Sequence, residues 1–293
     1  MKALILIMVL ASSCGAQKEK PRRQNPTEDR KKPTTFGKDF DPIPVQKGFG
    51  KPVAPFPFFE GTSAVPGFKP GDMVWSPVPV GGAWDIVNYS IARVKKVVET
   101  RVHLDANGVD FVVPGAMLQG FKRPKARLKR GDTVLCAISM SSEWGKVVST
   151  AKGRVLVSMV WARGERKEEI PVERLLLLEA GKPSPGMPVV FSRGGHFEFG
   201  QLIHRARTTS WIIGYAGKLL RVKNDEVKLV PTGVKFPRKG RVWTLWYDKM
   251  EEARVEKVLE NGAGYMIRFP ERPLEPYRNP RLVSFARVTK PLG

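Results

Sequence analysis

The side chains able to do chemistry in this sequence are one cysteine near its start, three histidines, and two sets of candidate binding residues. Cys14 ends an apolar run behind Ala11-Ser12-Ser13, where its sulfur is open to covalent modification. His103 falls on a polar strand face. His196 and His204 flank an expected hairpin without carboxylate neighbours, so they read as surface residues rather than metal ligands. No nucleophile elbow, zinc-protease helix or phosphate-cradling loop is spelled anywhere. The expectation is a protein that is no enzyme, with no catalytic residue, metal, cofactor or small-molecule substrate. The candidate ligand-binding residues are the aromatics Trp84, Tyr89, Trp144 and Phe199 and the cations Arg93, Lys95 and Arg101. Ring faces attract cations, and clustered cations attract anions. Arg130-Gly131-Asp132 spells an adhesion tripeptide, but it occupies an opening turn, where chance accounts for it.

Charge narrows the partner. Among 293 residues, 50 Lys and Arg face 28 Asp and Glu, a formal net charge of +22. Such a balance favours nucleic acid, anionic lipid or an acidic polymer, the plain alternative being a solubilising surface. Arg93, Lys95, Lys96 and Arg101 are expected on one outward strand face, and Lys122–Arg130 is a basic run. With Trp and Tyr interleaved, that surface suits single-stranded nucleic acid or acidic glycan.

Met1–Cys14 reads MKALILIMVLASSC: a lysine, a short apolar core, then small residues. This is the layout of an export signal, too short to span a bilayer. Its end resembles the lipobox of bacterial lipoproteins. Ser12 and Ser13 fit that box, while Ala11 stands where Leu is usual and Leu10 is one place early. The resemblance implies a diacylglyceryl thioether on Cys14 and, with Gly15 rather than Asp following, sorting to the outer membrane. Acyl chains plus a basic surface would hold a protein stably on a membrane. Ordinary secretion, with a cut after Ala16, is the alternative. Cys136 then remains as a lone thiol in an apolar strand, expected to be buried and inert.

The elements that must position these residues repeat. Glycine opens a β-like run at Gly71, Gly131, Gly186 and Gly240, spaced 60, 55 and 54 residues apart. A small residue, a polar one and a branched apolar one follow in each copy: Ala92-Arg93-Val94, Gly145-Lys146-Val147, Gly200-Gln201-Leu202 and Ala253-Arg254-Val255. A fixed period of this length indicates tandem units. Pro70-Gly71 suits a type II turn, Asn107-Gly108 a tight hairpin, and Val78–Tyr89 reads as an enlarged first loop. Alternation in Val102 and Leu104, and in Tyr265, Ile267 and Phe269, marks half-buried strands. Leu282–Phe285 is expected as the last strand of all.

Gly-x-x-Val, an aromatic, then Ala/Gly-x-Val resembles the Tudor-like modules of the SH3-like barrel class. The aromatic is Tyr89, Trp144 or Phe199, and the fourth copy departs with Glu251-Glu252. The expected fold class is all-β, with four tandem small SH3-like or Tudor-like barrels after a disordered tether; propeller blades are the competing architecture. The boundaries run 1–14 for the signal, 15–66 for a Pro- and Lys-rich linker, and 67–124, 125–181, 182–234 and 235–293 for the repeats. Phe56-Pro57-Phe58-Phe59 is too apolar for a free linker and is expected to dock on the first repeat or a partner. Together these readings describe a membrane-anchored, non-enzymatic binding or scaffold protein. Its partner would be an unknown protein or cell-envelope polymer, with polyanion binding as the alternative. The physical reason for a small residue in the triplet is a strongly bent strand that brings backbones close.

Overall fold

In a computed structural model of the chain, the described residues are Phe56 and 67–291, apart from 82, 121–127, 139–140, 162–163, 248 and 271–279. Cys14, the linker other than Phe56, and Lys122–Arg127 of the basic run lie outside the described residues. The described ones belong to one compact unit.

That unit is all-β and holds four antiparallel five-stranded sheets set around one another like the blades of a four-bladed propeller. Sheet one contains β1 (Met73–Val80), β2 (Ala83–Val98), β3 (Arg101–Ala106), β4 (Val109–Pro114) and β5 (Gln119–Gly120). Sheet two contains β6 (Thr133–Ile138), β7 (Ser141–Ala151), β8 (Arg154–Trp161), β9 (Gly164–Pro171) and β10 (Leu175–Leu177). Sheet three contains β11 (Pro188–Arg193), β12 (His196–Arg205), β13 (Thr209–Ile213), β14 (Leu219–Lys223) and β15 (Val227–Leu229). Sheet four contains β16 (Arg241–Trp246), β17 (Lys249–Val258), β18 (Gly264–Arg268), β19 (Arg281–Ser284) and β20 (Val288–Thr289). Each sheet has its strands in the order fourth, third, second, first, fifth, and a single 3-10 turn leads into the fifth. Leu282–Phe285 is therefore not the last strand. It covers most of β19 and the start of the turn Phe285–Arg287, and Val288–Thr289 closes the sheet.

The repeat rests on one backbone device. In sheet one the Gly71 N–H donates to the Val94 carbonyl and the Val94 N–H to the Asp72 carbonyl, both at 2.8 Å. The same pair recurs between Gly131-Asp132 and Val147, Gly186-Met187 and Leu202, and Lys239-Gly240 and Val255. Gly71, Gly131 and Gly186 sit at φ near +90°, and Asp72 and Asp132 accept the backbone N–H three residues back at 2.7 Å. In the fourth copy Lys239 takes that place at φ 67°, so the equivalent of Gly71 is Lys239 and the sequence match at Gly240 is one residue late.

Immediately after the small-residue triplet each second strand carries a register shift: Val94/Lys96, Val147/Ser149, Leu202/His204 and Val255/Lys257. A bulge there bends the strand, and the small residue sits where the bend presses it on its neighbour. A Cβ on Gly145 would lie 2.2 Å from Val157 Cγ1, and one on Gly200 2.8 Å from the Ile213 carbonyl.

Val78–Tyr89 is not a loop. Pro77 pairs with Tyr89 and Pro79 with Val87, so the hairpin of β1 and β2 is extended into an arm. The arm reaches sheet three, where Ile86 bridges to Lys218. Phe56 fixes the same junction. It is buried, donates its N–H to the Val112 carbonyl at 3.2 Å, and lies edge-on to Trp84 at 4.8 Å and Trp211 at 5.2 Å. Strand contacts join sheet one to two, two to four, four to three and three to one. One apolar core runs through sheets one, three and four and takes in Leu135, Ala137 and Trp144 of sheet two. A second core, around Val134, Cys136, Val157 and Met159, belongs to sheet two alone. β6 thus buries both of its faces. Cys136 is within that core, its thiol pushed well up by burial.

Candidate functional site

The four candidate aromatics are all buried. Tyr89 stacks on Trp75 at 5.6 Å, and its hydroxyl, without a hydrogen-bond partner, is pushed strongly upward by desolvation. Trp84 packs on Phe56 and Phe111. The structure brings Trp144 and Phe199 together, edge to face at 5.6 Å, with Trp144 Nε1 donating to the Gly186 carbonyl at 2.9 Å. That contact ties sheet two to the opening turn of sheet three. By register, Trp144 opposite Leu135 and Phe199 opposite Val190 correspond to Ile91 opposite Trp75, so Tyr89 stands two residues before the equivalent position.

Arg93, Lys95 and Arg101 are exposed but do not form one cluster. Arg93 lies opposite Asp105. Lys95, at the bulge, makes an ion pair with Asp110 at 2.8 Å that holds its amine charged above the usual range. Arg101 pairs across from Val98, four ladder steps and so about 13 Å from Arg93 at ~3.3 Å per residue.

The stronger basic site is in sheet four and was not singled out from the sequence. A groove of about 690 Å³ is flanked by Arg238 and Lys239 of the opening turn, Arg254 and Lys257 of β17, and Arg268 of β18. Glu256 supplies its one carboxylate and makes an ion pair with Arg268. Arg254 is opposite Arg268 and Lys257 opposite Met266, so the bulge of β17 sets the groove wall. Val255 and Met266 give it an apolar floor. Arg254 is the register equivalent of Arg93, Lys146 and Gln201. The signal was therefore present in the repeat itself: the middle of the triplet is basic in three copies.

What differs between copies is what covers that position. In sheet three Gln201, Trp211 and Ile213 are buried. In sheet two Lys146 is enclosed, donating to Thr133 Oγ1 and the Thr232 carbonyl, both at 2.7 Å, with its amine 4.5 Å from the Phe285 ring centre. Desolvation lowers it to about 8, against a pull upward from Asp132. It borders a cavity of about 370 Å³ between sheets two and four. Only sheets one and four leave the position open.

His103 is half-buried on the strand face expected for it, and burial lowers its proton affinity, as it does for His204. His196 does have a carboxylate neighbour, Glu198 at 3.4 Å. Among the described residues no three His, Cys, Asp or Glu side chains gather as a metal set. Arg130-Gly131-Asp132 is the opening turn of sheet two, its aspartate engaged with the Lys129 N–H. No helix among the described residues is long and apolar enough to cross a membrane. Compared with known proteins, the sequence matches no family model and no curated relative.

Proposed function

We propose that this chain is a non-enzymatic binding protein for an extended polyanion, which it takes in the groove of sheet four. The observation that carries the reading is five cationic side chains on one groove with a single carboxylate between them, on a chain of net charge +22. Closely spaced cations with little internal neutralisation attract a repeating anion and release its counterions on binding. The exposed Arg93 and Lys96 of sheet one occupy the corresponding register in that sheet.

The reading includes two finer features of the chain. Each sheet is taken as a Tudor-like barrel of the SH3-like class. The strand order, the 3-10 turn before the fifth strand, the bulged second strand and the private core of sheet two support it. The protein is taken as exported and held to the outer membrane through an acylated Cys14, as the lipobox resemblance implies. An envelope-facing location favours an acidic cell-envelope polymer over nucleic acid as the partner.

The test is a titration with an acidic polysaccharide at several salt concentrations. Affinity falls steeply with salt, and Arg254→Gln combined with Lys257→Gln lowers the slope of log K against log salt by about two. A slope unchanged by that pair, or binding indifferent to salt, removes the groove reading. For the anchor, a fatty-acid probe labels the wild type and not Cys14→Ser.

A further inference from the structure

Between sheets two and four lies a cavity of about 520 Å³, separate from the basic groove. It is within the size range of small-molecule sites, about 300–1,000 Å³. Val160, Leu245, Leu282 and Val283 supply apolar wall, and Glu143, Trp161, Arg281, Ser284 and Arg287 supply the polar groups.

Two of those polar groups are orphaned. Trp161 Nε1 and Arg287 Nε are buried donors with no hydrogen-bond partner. A buried donor left unmade costs about 1–3 kcal/mol, so native folds contain few and each calls for an acceptor. Both belong to residues that line a single cavity, the place from which acceptor oxygens could reach them.

Neither donor can turn aside cheaply. The Trp161 ring has the Arg166 guanidinium over it at 5.4 Å. The Arg287 guanidinium lies 5.7 Å over Phe199, and the Arg287 carbonyl accepts from Thr244 Oγ1 at 2.8 Å. Glu143 and Trp161, each two residues beyond the Gly145–Met159 pair that ends the ladder of β7 and β8, both line the cavity. The Glu143 carboxyl is raised by burial against the pull of Arg287. Two arginines, Arg281 and Arg287, share the cavity with this one carboxyl, next to an aliphatic wall.

We infer that this cavity binds a small carboxylate with an apolar body, whose oxygens accept from Trp161 Nε1–H and Arg287 Nε–H while its hydrocarbon lies against Val160 and Leu245. This site goes beyond the polyanion groove and does not depend on it.

The probe is hexanoate, titrated into the full ¹⁵N-labelled chain while the tryptophan indole N–H resonances are followed. The Trp161 signal is assigned by its loss in Trp161→Phe. The expected result is a saturable downfield shift of that one resonance. Hexylamine, with the same body and no oxygen, leaves it in place, and inorganic phosphate binds at least about tenfold more weakly than hexanoate. By calorimetry Trp161→Phe, which keeps the ring and deletes the donor, loses about tenfold in hexanoate affinity. The groove variants Arg254→Gln and Lys257→Gln bind hexanoate as the wild type does. The proposal is overturned by a stationary Trp161 resonance up to about 10 mM hexanoate, by equal response to hexylamine or phosphate, or by loss of hexanoate binding in the groove variants. The wild-type calorimetry stands by itself if Trp161→Phe does not fold.

Discussion

Lys146 shows how one position in a repeat acquires different chemistry from its neighbours. Its counterparts Arg93 and Arg254 are solvated, whereas Lys146 is enclosed between Thr133, Thr232 and the Phe285 ring. Desolvation brings its amine down to about 8 from 10.5. For a lysine lowered in the folded state, the unfolded chain binds the extra proton between those two values. Stability therefore rises as pH is raised from about 8 to 10.5 and is flat on either side. Lys146→Met abolishes that rise. Urea midpoints of both proteins at pH 7 and pH 10 check it: the wild type gains on the variant at the higher pH. A wild-type advantage that is the same at both pH values would mean the amine is charged throughout.

Among the elements, the second strand of each sheet carries most of the architecture, and its sequence was legible in part. The triplets at Ala92, Gly145, Gly200 and Ala253 located all four bends, because a bulge leaves no room for a larger side chain. Gly200→Ala tests this directly. The new Cβ would meet the Ile213 carbonyl at 2.8 Å, a backbone atom that cannot rotate away. A loss of about 1–3 kcal/mol is expected, read as a lower urea midpoint with unchanged m-value. The same alternation that revealed the strands hid two elements. Val78–Tyr89 contains a proline and two glycines, which read as a loop, yet Pro79, like Pro77 just before it, falls within a strand pair. The final strand, Val288–Thr289, is too short for any period to show. The basic groove was missed for a different reason. Arg238, Arg254 and Arg268 are distant in sequence, and only pairing across β17 and β18 makes them neighbours. The aromatics stood out by residue type, but type alone does not say whether a ring faces solvent or the interior, and here all four are buried.

At the scale of the whole molecule, the sequence describes four tandem units and the structure describes units that cannot be parted without opening a core. Sheets one, three and four share one apolar cluster, and sheet two contributes Leu135, Ala137 and Trp144 to it. Small β units of 50 to 60 residues are marginal by themselves, and joining them through a common interior relieves that limit. The junction of Phe56, Trp84 and Trp211 is the place to test it. Trp84 belongs to sheet one, but its truncation empties a space that Phe56 shares with Trp211 of sheet three. Trp84→Ala should cost about 3–5 kcal/mol and should lower hydrogen-exchange protection in Thr209–Ile213 as much as in sheet one. Calorimetry of the wild type should give one transition with van't Hoff and calorimetric enthalpies in agreement, as expected of a single cooperative unit. Independent units would instead melt in steps, and Trp84→Ala would shift the first step alone. Coupling of this kind bears on function. Sheets two and four meet directly within the ring, and their meeting forms both the carboxylate cavity and the pocket beside Lys146. A ligand held there binds the assembled ring and not a separated sheet, so hexanoate at saturation should raise the midpoint of the whole transition and leave its cooperativity unchanged.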